Sequence, residues 1–520
     1  KGDVFDETLL DERLNMSRNG DDISALYMDD GYLFFQINPV ELEIKEDNFI
    51  DLEMQLREGN QATIKNVTIR GNSKTNDHVM MREIRSLPGE LFKRSDIIRT
   101  QEELNRLGFF NPEALGVNPI PDPKTGNVDI EYIVEEKPAD QIEMSGGFGN
   151  NMFVGQLSLT FNNFSTKGIF DKNTWSPLPT GDGQKIQLSA QSYGLNYQNY
   201  RFMFQEPWLG GKKPNSFTTQ FWHSIQRRES TSVSGELIDN ILKMYGFSIG
   251  LGKRVQWPDD YFTIQTSFNI NRYDPENWSI GTDGSLNGIV NGINISSTIR
   301  RNSIFNPIYP RSGSSFSFTM ELTPPYSSFN NDDYASMDDD EKFKLLEYYK
   351  LKTKGEWYTS ISGNLVLKTQ FEFGVLGAYN KDIGIPPFER FYVGGDGLQG
   401  YAMDGREVIG VRGYPNYPDL LSGTEGMPLY SKYTLELRYP ISLNPTTTIY
   451  GLCFAEGANA WNEIDAFKPF EVKRSLGVGI RIFMPMFGVM GVDFGYGFDS
   501  IDNSDIKSGW QPQFTIGQQF

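Results

Sequence analysis

Two short stretches of one polar segment pose a chemical question. Gly397-Leu398-Gln399-Gly400-Tyr401 and Gly410-Val411-Arg412-Gly413-Tyr414 are near copies that differ mainly at the centre, glutamine against arginine. A glutamine amide hydrogen-bonds without charge, whereas a guanidinium offers a rigid fork of donors that a carboxylate can meet. The chemistry open to Arg412 is therefore charge pairing. In 488–498, Met490, Val492, Phe494, Tyr496 and Phe498 alternate with Gly491, Asp493, Gly495 and Gly497. In 474–483, Leu476, Val478, Ile480 and Ile482 alternate with Ser475, Gly477, Gly479 and Arg481. The second face of both stretches is nearly bare. Glycine in a strand often marks close approach of another backbone, so Gly477, Gly479, Gly491, Gly495 and Gly497 read as a column that makes room for an inserted segment. Asp493 is the carboxylate on that column available to Arg412. The alternative is an ordinary solvated loop arginine.

Other chemistries find few carriers. The two histidines, His78 and His223, rule out a multi-histidine metal cluster, and one cysteine, Cys453, allows no intrachain disulfide. His223 lies between Trp222 and Ser224, with no Ser/His/acid set recognisable around it. No catalytic residue, metal or cofactor is expected, and the chain is read as a non-enzyme. The acidic stretch Asp332, Asp333, Asp338, Asp339, Asp340 and Glu341 has ligand types for a divalent cation, but a solvated loop is the expected reading.

The elements that must hold Arg412 are strands. The chain has 520 residues, a formal net charge of −19 and a mean hydropathy of −0.45. That acidity argues against a nucleic-acid partner, and no run of about 18 apolar residues encodes a membrane helix. Yet it carries 37 Phe, 25 Tyr, 8 Trp and 52 Gly. A polar average with many aromatics fits a soluble all-β protein or a membrane β-barrel, whose alternating strands never look hydrophobic in bulk. The opening KGDVFDETLL has no basic-then-apolar signal, and the chain is expected to begin partway through a domain.

Residues 1–138 mix helices and strands. From Ala62 the order is β-α-α-β-β: a strand to Arg70, a short helix over Asn76–Arg85 with Asn76 as cap, a helix over Ser95–Leu107, and strands near 114–120 and 128–135. Residues 1–58 repeat this order without its first strand, with helices near 6–16 and 22–30 and strands near 32–38 and 48–56.

From 139 onward period-2 strands recur, as in Phe262, Ile264, Phe268 and Ile270, or Tyr433, Leu435, Leu437 and Tyr439 against Lys432, Thr434, Glu436 and Arg438. Sixteen strands are expected, beginning near 141, 153, 185, 196, 216, 243, 261, 288, 313, 355, 366, 430, 447, 474, 488 and 512. Their length, about 9–11 residues, is that of a membrane-spanning strand, and short turns alternate with long loops. Turns such as Pro207–Gly211 and Pro307–Pro310 are expected at one rim, with their aromatics at the membrane interface. The first strand, 141–150, is weak because Gly146, Gly147 and Gly149 offer no side chains to pack. The last, 512–520, carries Phe514, Ile516, Gly517 and a terminal Phe520. A barrel lacks edges only while the seam between these two strands holds.

Several motifs carry a resemblance. Tyr27…Gly31-Tyr32 and Leu107-Gly108-Phe109-Phe110 resemble the polypeptide-transport-associated (POTRA) repeat, partial over 1–59 and complete over 60–138. Gln513–Phe520 resembles the C-terminal signal of outer-membrane barrels. Pro387-Phe388-Glu389-Arg390-Phe391-Tyr392-Val393-Gly394-Gly395 and Val411-Arg412-Gly413-Tyr414 resemble the sixth-loop signature of the BamA family of outer-membrane protein assembly factors. The resemblance implies a transmembrane antiparallel β-barrel of about 16 strands over 139–520, preceded by α+β POTRA domains. It implies that the loop 379–429 folds into the lumen, with Arg412 held by acidic residues on later strands. Glu456 matches the family's second acidic position, where Asp is commoner, but its strand alternates poorly because Leu452 and Phe454 share its face, so it ranks behind Asp493. Residues 396–410 are an insertion against the family pattern, so the lock is assigned to Arg412 and not to Gln399. The implied function is assembly and insertion of β-barrel proteins by lateral opening of the seam and β-augmentation. Unfolded outer-membrane proteins would be the substrates, lipoprotein subunits the partners and membrane lipid the surroundings. The location implied is the bacterial outer membrane, with the N-terminal domains in the periplasm. A related POTRA-barrel secretion pore is the alternative.

Overall fold

The computed structural model describes residues 5–516 apart from 16–21, 45–49, 232–236, 281–283, 395–406, 416–420, 485–487 and 502–506, and the brief interruptions at 112, 123, 139, 150–151, 176, 195, 305, 307, 331, 424 and 445–446. It divides into two compact units: Lys1–Asp140 with Phe161–Lys185, and Gln141–Thr160 with Ile186–Phe520.

In the first unit, α1 (Glu7–Leu14) and α2 (Ile23–Asp29) precede β1 (Gln36–Ile44) and β2 (Ile50–Arg57), an antiparallel pair. Asp6 and Asp22 cap the helices by accepting from Leu9 N and Ala25 N. β1 starts later than the expected residue 32 because Gly31–Phe35 form a turn. Gly31 takes φ 94°, Tyr32 N donates to Tyr27 O, and the Tyr27 ring stacks on Phe35 at 3.9 Å. The second repeat comprises β3 (Thr63–Arg70), α3 (Asp77–Met81), α4 (Arg94–Arg106), β4 (Gly116–Asp122) and β5 (Asn127–Ile133). β5 lies centrally, parallel to β3 and antiparallel to β4. Ile64, Val79, Leu104, Phe110, Ile130 and Tyr132 are buried between sheet and helices, where alternation on the strands meets helical spacing on α4.

The expected helix over 76–85 is only five residues long. Asn76 makes no side-chain cap bond; its Nδ2 donates instead to Asp182 Oδ1 at 3.0 Å. That partner comes from the connection 161–185, which packs within this unit. Asn163 Nδ2 likewise donates to Thr75 Oγ1 at 2.8 Å, and Asn76 N donates to Gly181 O at 3.0 Å. Long-range pairing displaces the local cap.

The second unit is one 16-stranded antiparallel meander. Its strands are β6 (Gln141–Gly149), β7 (Met152–Phe164), β8 (Gln184–Tyr193), β9 (Tyr197–Glu206), β10 (Asn215–Thr231), β11 (Leu237–Val255) and β12 (Phe262–Glu276). A hairpin of β13 (Trp278–Ile280) and β14 (Gly284–Leu286) stands outside the sheet. β15 (Val290–Asn302), β16 (Ser312–Leu322), β17 (Tyr349–Ser362) and β18 (Leu365–Gly377) follow. The loop strands β19 (Phe391–Val393) and β20 (Glu407–Ile409) precede β21 (Leu429–Asn444), β22 (Thr447–Trp461), β23 (Lys473–Met484), β24 (Gly488–Ser500) and β25 (Lys507–Ile516). Sheet order follows chain order from β6 to β25, with the two short pairs left out. β10 and β11 run to 17 and 19 residues, longer than a membrane requires. The excess lies at the end where the long connections leave, beyond the apolar band. In the acidic connection 323–348, Asp338 caps the one-turn α5 (Asp339–Lys342), and Asp340 Oδ1 accepts from Asn287 N of the preceding connection.

Phe221, Leu251, Ile295, Leu435 and Phe494 point outward and are exposed, as a lipid-facing surface requires. The inner face holds a core of its own, including Tyr348, Phe391, Val393, Val411, Tyr414 and Tyr430. Tyr309 departs from the expected interface belt. It is buried with Tyr358 and Tyr450, and its hydroxyl donates to Asn364 O and Arg438 O.

One carboxylate of the first unit gives a pH prediction. Glu136 accepts from Ser73 N at 2.9 Å, Ser73 Oγ at 2.7 Å, Lys74 N at 2.9 Å and Thr75 N at 2.7 Å. Partial burial alone would raise its pKa, but the bonds from Ser73 and Thr75 outweigh that and lower it to about 2. Because the folded value is depressed, its stabilisation is present above the ordinary 4.5 and is lost as pH falls towards 2. Thermal unfolding of this unit should therefore weaken between pH 5 and pH 3 by more in the wild type than in Glu136→Gln; equal slopes would contradict the assignment.

Candidate functional site

The long loop enters the lumen through a single turn at Pro387–Glu389 and then β19, which pairs in parallel with β20, Phe391 opposite Glu407 and Val393 opposite Ile409. The pair is anchored to β17. Lys350 Nζ lies 2.9 Å from Glu407 Oε2 and 3.3 Å from Glu389 Oε2, and Lys352 Nζ lies 3.0 Å from Glu407 Oε1. Tyr273 OH donates to Glu389 Oε1, and its ring stacks on Phe388 at 4.7 Å. Two lysines against two glutamates cancel charge in a partly dry space, which is what makes burial of four ionised groups tolerable. Glu407 belongs to the 396–410 insertion, so the return of that insertion is tied to the wall. Gln399 lies outside the described residues.

Beyond β20 the chain reaches Arg412. Its Nε and Nη2 donate to Glu456 Oε1 at 2.9 and 2.7 Å, its Nη2 to Glu436 Oε1 at 2.7 Å, and its backbone N to Glu456 Oε2 at 2.9 Å. The guanidinium lies over the Phe454 ring, 3.8 Å from its centroid. The arginine side chain is 15% exposed, while those of Glu456 and Glu436 are 3% and 6% exposed. Gly413, at φ 82°, turns the chain so that its N donates to Gln513 Oε1 and its O accepts from Ser508 Oγ. Tyr414 OH donates to Arg474 O at 2.8 Å. Val411–Tyr414 thus bonds to β22, β23 and β25, and through Glu436 to β21.

The ranking of acidic partners differs from the sequence reading. Asp493 is 3.8 Å from Arg412 Nη1, and its two oxygens are instead taken by Arg481 at 2.8 and 2.6 Å. Glu456 is the principal partner, although Leu452 and Phe454 share its face. Both are buried inward: Phe454 lies under the Arg412 guanidinium, and Leu452 packs with Tyr309, Tyr358, Val366 and Tyr450, so apolar side chains on the inner face of β22 follow from the lumen being filled. Glu436 was not singled out by the sequence, nor were Arg438, whose Nε and Nη2 grip Glu436 Oε2 at 2.8 and 2.6 Å, or Arg481. Three guanidinium groups (Arg412, Arg438, Arg481) oppose three carboxylates (Glu436, Glu456, Asp493). A usable signal was present, since Glu436 and Arg438 stand on the polar face of an alternating strand. Lys350, Lys352, Glu389 and Glu407 gave no local signal, because their pairing spans the fold.

The glycine column divides into separate tasks. A Cβ on Gly495 would come within 2.6 Å of Gly413 Cα, and one on Gly497 within 2.5 Å of Gly413 O, so these two admit the loop backbone. At Gly477 the space is taken by the Phe454 ring, at Gly479 by the Asp493 carboxylate and at Gly491 by the Arg481 side chain. The other part of the site is the pair of terminal strands. β6 pairs with β7 from Gln141 opposite Thr160 to Gly149 opposite Met152 and includes Gly146 and Gly147. β25 pairs with β24 through Phe514 and Ile516, with an irregularity between Gly497 and Ser500. Pro512 removes one donor from β25. Gly517 and Phe520 lie outside the described residues.

These contacts predict unequal glycine substitutions. Gly495→Ala should displace the loop, lower the temperature at which the folded gel band is lost and expose 407–414 to protease. Gly491→Ala presses on the Arg481 side chain and not on the loop, so it should disturb the Arg481–Asp493 pair and leave 407–414 protected. Lys350→Ala should loosen the Glu389–Glu407 segment, opening it to protease while cleavage at 411–414 stays slow.

Two family models match. The Omp85 superfamily domain covers residues 180–520, and the surface antigen variable number repeat, the POTRA model, covers 62–137. The outer membrane protein assembly factor BamA of Nitratidesulfovibrio vulgaris is 25% identical over 514 residues, 96% of this chain and 56% of its own length; the chain thus spans little more than half of that relative. The structure of BamA from Haemophilus ducreyi lacking POTRA domains 1–3 shares the fold at TM-score 0.56 and 18% identity, covering 99% of this chain and 95% of that one. CdiB from Escherichia coli shares it at TM-score 0.57 and 11% identity, covering 98% and 87%. The 16 strands form an outer-membrane barrel, and the N-terminal domains are periplasmic. The chain belongs to the Omp85 superfamily, with the BamA assembly factors among its relatives.

Proposed function

We propose that this protein assembles β-barrel proteins into the outer membrane, using the edges of β6 and β25 as templates for incoming strands. The observation that carries the reading is the filled lumen. With Val411–Tyr414 bonded across β21–β25 and Glu407 tied to β17, the interior is occupied by the chain's own loop. The backbone groups left for a substrate are those at the two ends of the sheet. An extended substrate segment pairs with such an edge by main-chain hydrogen bonds, which are sequence-tolerant and suit many clients. Glycines in β6 and a proline in β25 make the seam between them weak, so its opening competes with few side-chain contacts. Binding and release of strands requires no covalent step, nucleotide or metal.

The lock matters to this cycle because β21–β25 must stay a rigid wall while the neighbouring seam opens. Arg412 ties β21 to β22 through Glu436 and Glu456, Arg481 ties β23 to β24 through Asp493, and Arg438 holds Glu436 in place. The POTRA units, with the exposed edges of β2 and β4, fit the role of receiving unfolded outer-membrane proteins and docking lipoprotein subunits.

The test is reconstitution of the chain in liposomes with an unfolded barrel protein, followed by the gel shift that marks folding. Wild type should accelerate folding. A disulfide between 141–149 and 507–516 should abolish the acceleration, and Arg412→Ala should reduce it while the chain stays inserted. Acceleration indifferent to the cross-link would sink the seam mechanism. Passage of a polypeptide through the lumen, with no barrel folding, would establish the secretion-pore alternative.

A further inference from the structure

The outer face of β7–β12 carries a depression of about 700 Å³, and its chemistry is ordered in rows. Register places Tyr200 beside His223, His223 beside Tyr245 and Tyr245 beside Arg272. Two residues further towards the other end of each strand, Phe202, Phe221, Phe247 and Ile270 stand side by side in the same order. The aromatic rings of the lower row touch: Phe202 and Phe221 have centroids 6.4 Å apart, and Phe221 and Phe247 are 4.7 Å apart. In the upper row His223 stacks on Tyr245 at 4.5 Å, and its Nδ1 bonds Met244 O at 3.1 Å. The ring is therefore held flat against the wall and leaves the depression open.

All these side chains point away from the lumen. On β12, Phe262, Ile264, Phe268, Ile270 and Arg272 share one face, while Tyr273 on the other is buried inside. Arg272 follows Phe262 by ten positions. At about 3.3 Å per residue and a tilt of about 40°, that is a rise of about 25 Å, the height of the apolar band. Arg272 therefore stands at the membrane interface, on the side of the long connections. A tyrosine–histidine–arginine row above a phenylalanine row is the order of an interface above hydrocarbon.

The arginine is unusual for lacking a partner. Among the described residues Arg272 makes no ion pair or hydrogen bond, while Lys243, two positions before Tyr245 on the same outward face, is neutralised by Glu276 at 2.6 Å. An unpaired guanidinium at the rim of an apolar depression calls for an anion attached to something apolar. Its fork geometry matches a phosphate. We propose that this depression is a binding site for one acyl lipid of the outer leaflet whose phosphate headgroup carries net negative charge, so that no headgroup ammonium competes with Arg272 for the phosphate. An acyl chain lies along Phe202, Phe221 and Phe247, and the headgroup phosphate pairs with Arg272. The site lies on β7–β12, away from the lumenal lock, and the inference needs only that the barrel spans the membrane.

The experiment is native mass spectrometry of the full chain in detergent, titrated with dioleoyl phosphatidylglycerol or, separately, dioleoyl phosphatidylcholine. One phosphatidylglycerol per chain should be retained in preference to phosphatidylcholine. Arg272→Gln should weaken the anionic lipid about fivefold and leave the zwitterionic one unchanged. Arg272→Lys should keep the preference, and Phe221→Ala should weaken both lipids alike. Each variant is checked first for its heat-modifiable folded band. Equal retention of the two lipids, or no loss with Arg272→Gln, would overturn the proposal. Displacement of phosphatidylglycerol by inorganic phosphate would also overturn it, because the site would then recognise the anion and not the lipid.

Discussion

The structure of the barrel interior depends on one buried guanidinium. Arg412 sits where water is scarce, and an unpaired charge there would cost several kcal/mol. Glu456 and Glu436 remove that cost, and each is held in turn by further groups: Glu456 by the Arg412 amide and Thr434, Glu436 by Arg438. A cluster in which cations and anions alternate is stable only when complete, since removing one member leaves its neighbour buried and unpaired. This explains why the loop, strands β21–β24 and the bare wall at Gly495 and Gly497 form one arrangement. The wall must lack side chains for the loop to reach the carboxylates, and the loop must bring a charge to repay their burial.

A second constraint comes from the opposite wall. Lys350 and Lys352 hold Glu389 and Glu407, so the loop is tied on both sides of the residues 395–406 that separate its two strands. Between the two charge clusters lies an apolar core of Phe391, Val393, Val411 and Tyr414. The loop thus behaves as a small core packed inside the barrel. Its burial gives the inner faces of β18, β21 and β22 something apolar to meet, and this accounts for inward positions such as Leu376, Tyr430 and Phe454.

Much of this was legible in the sequence because barrels obey a rule of period two. Alternation located all sixteen strands, with starts displaced by several residues at β11, β17 and β25. The same rule misjudged Glu456. It presumes a wet lumen, so Leu452 and Phe454 looked like a fault in the pattern, when they are the pattern of a filled one. It also promoted Asp493, whose isolation among glycines is real along β24. Isolation along one strand does not register the neighbour across the ladder, and Arg481 on β23 takes both oxygens. Asn76 teaches the same lesson in the N-terminal unit: a good cap by type, it bonds instead to Asp182, over a hundred residues away. Local chemistry reads well from sequence wherever the partner is local.

The central claim is that Arg412 and Glu456 act as one unit. A double-substitution comparison tests it directly: Arg412→Met, Glu456→Gln and the pair, each scored by the temperature at which the folded gel band converts to the unfolded one. Neutralising one member leaves its partner buried and uncompensated, whereas neutralising both does not. The account predicts that the doubly substituted chain is no less stable than the worse single variant. A double variant whose loss equals the sum of the two single losses would show that the residues act independently, and would contradict the lock.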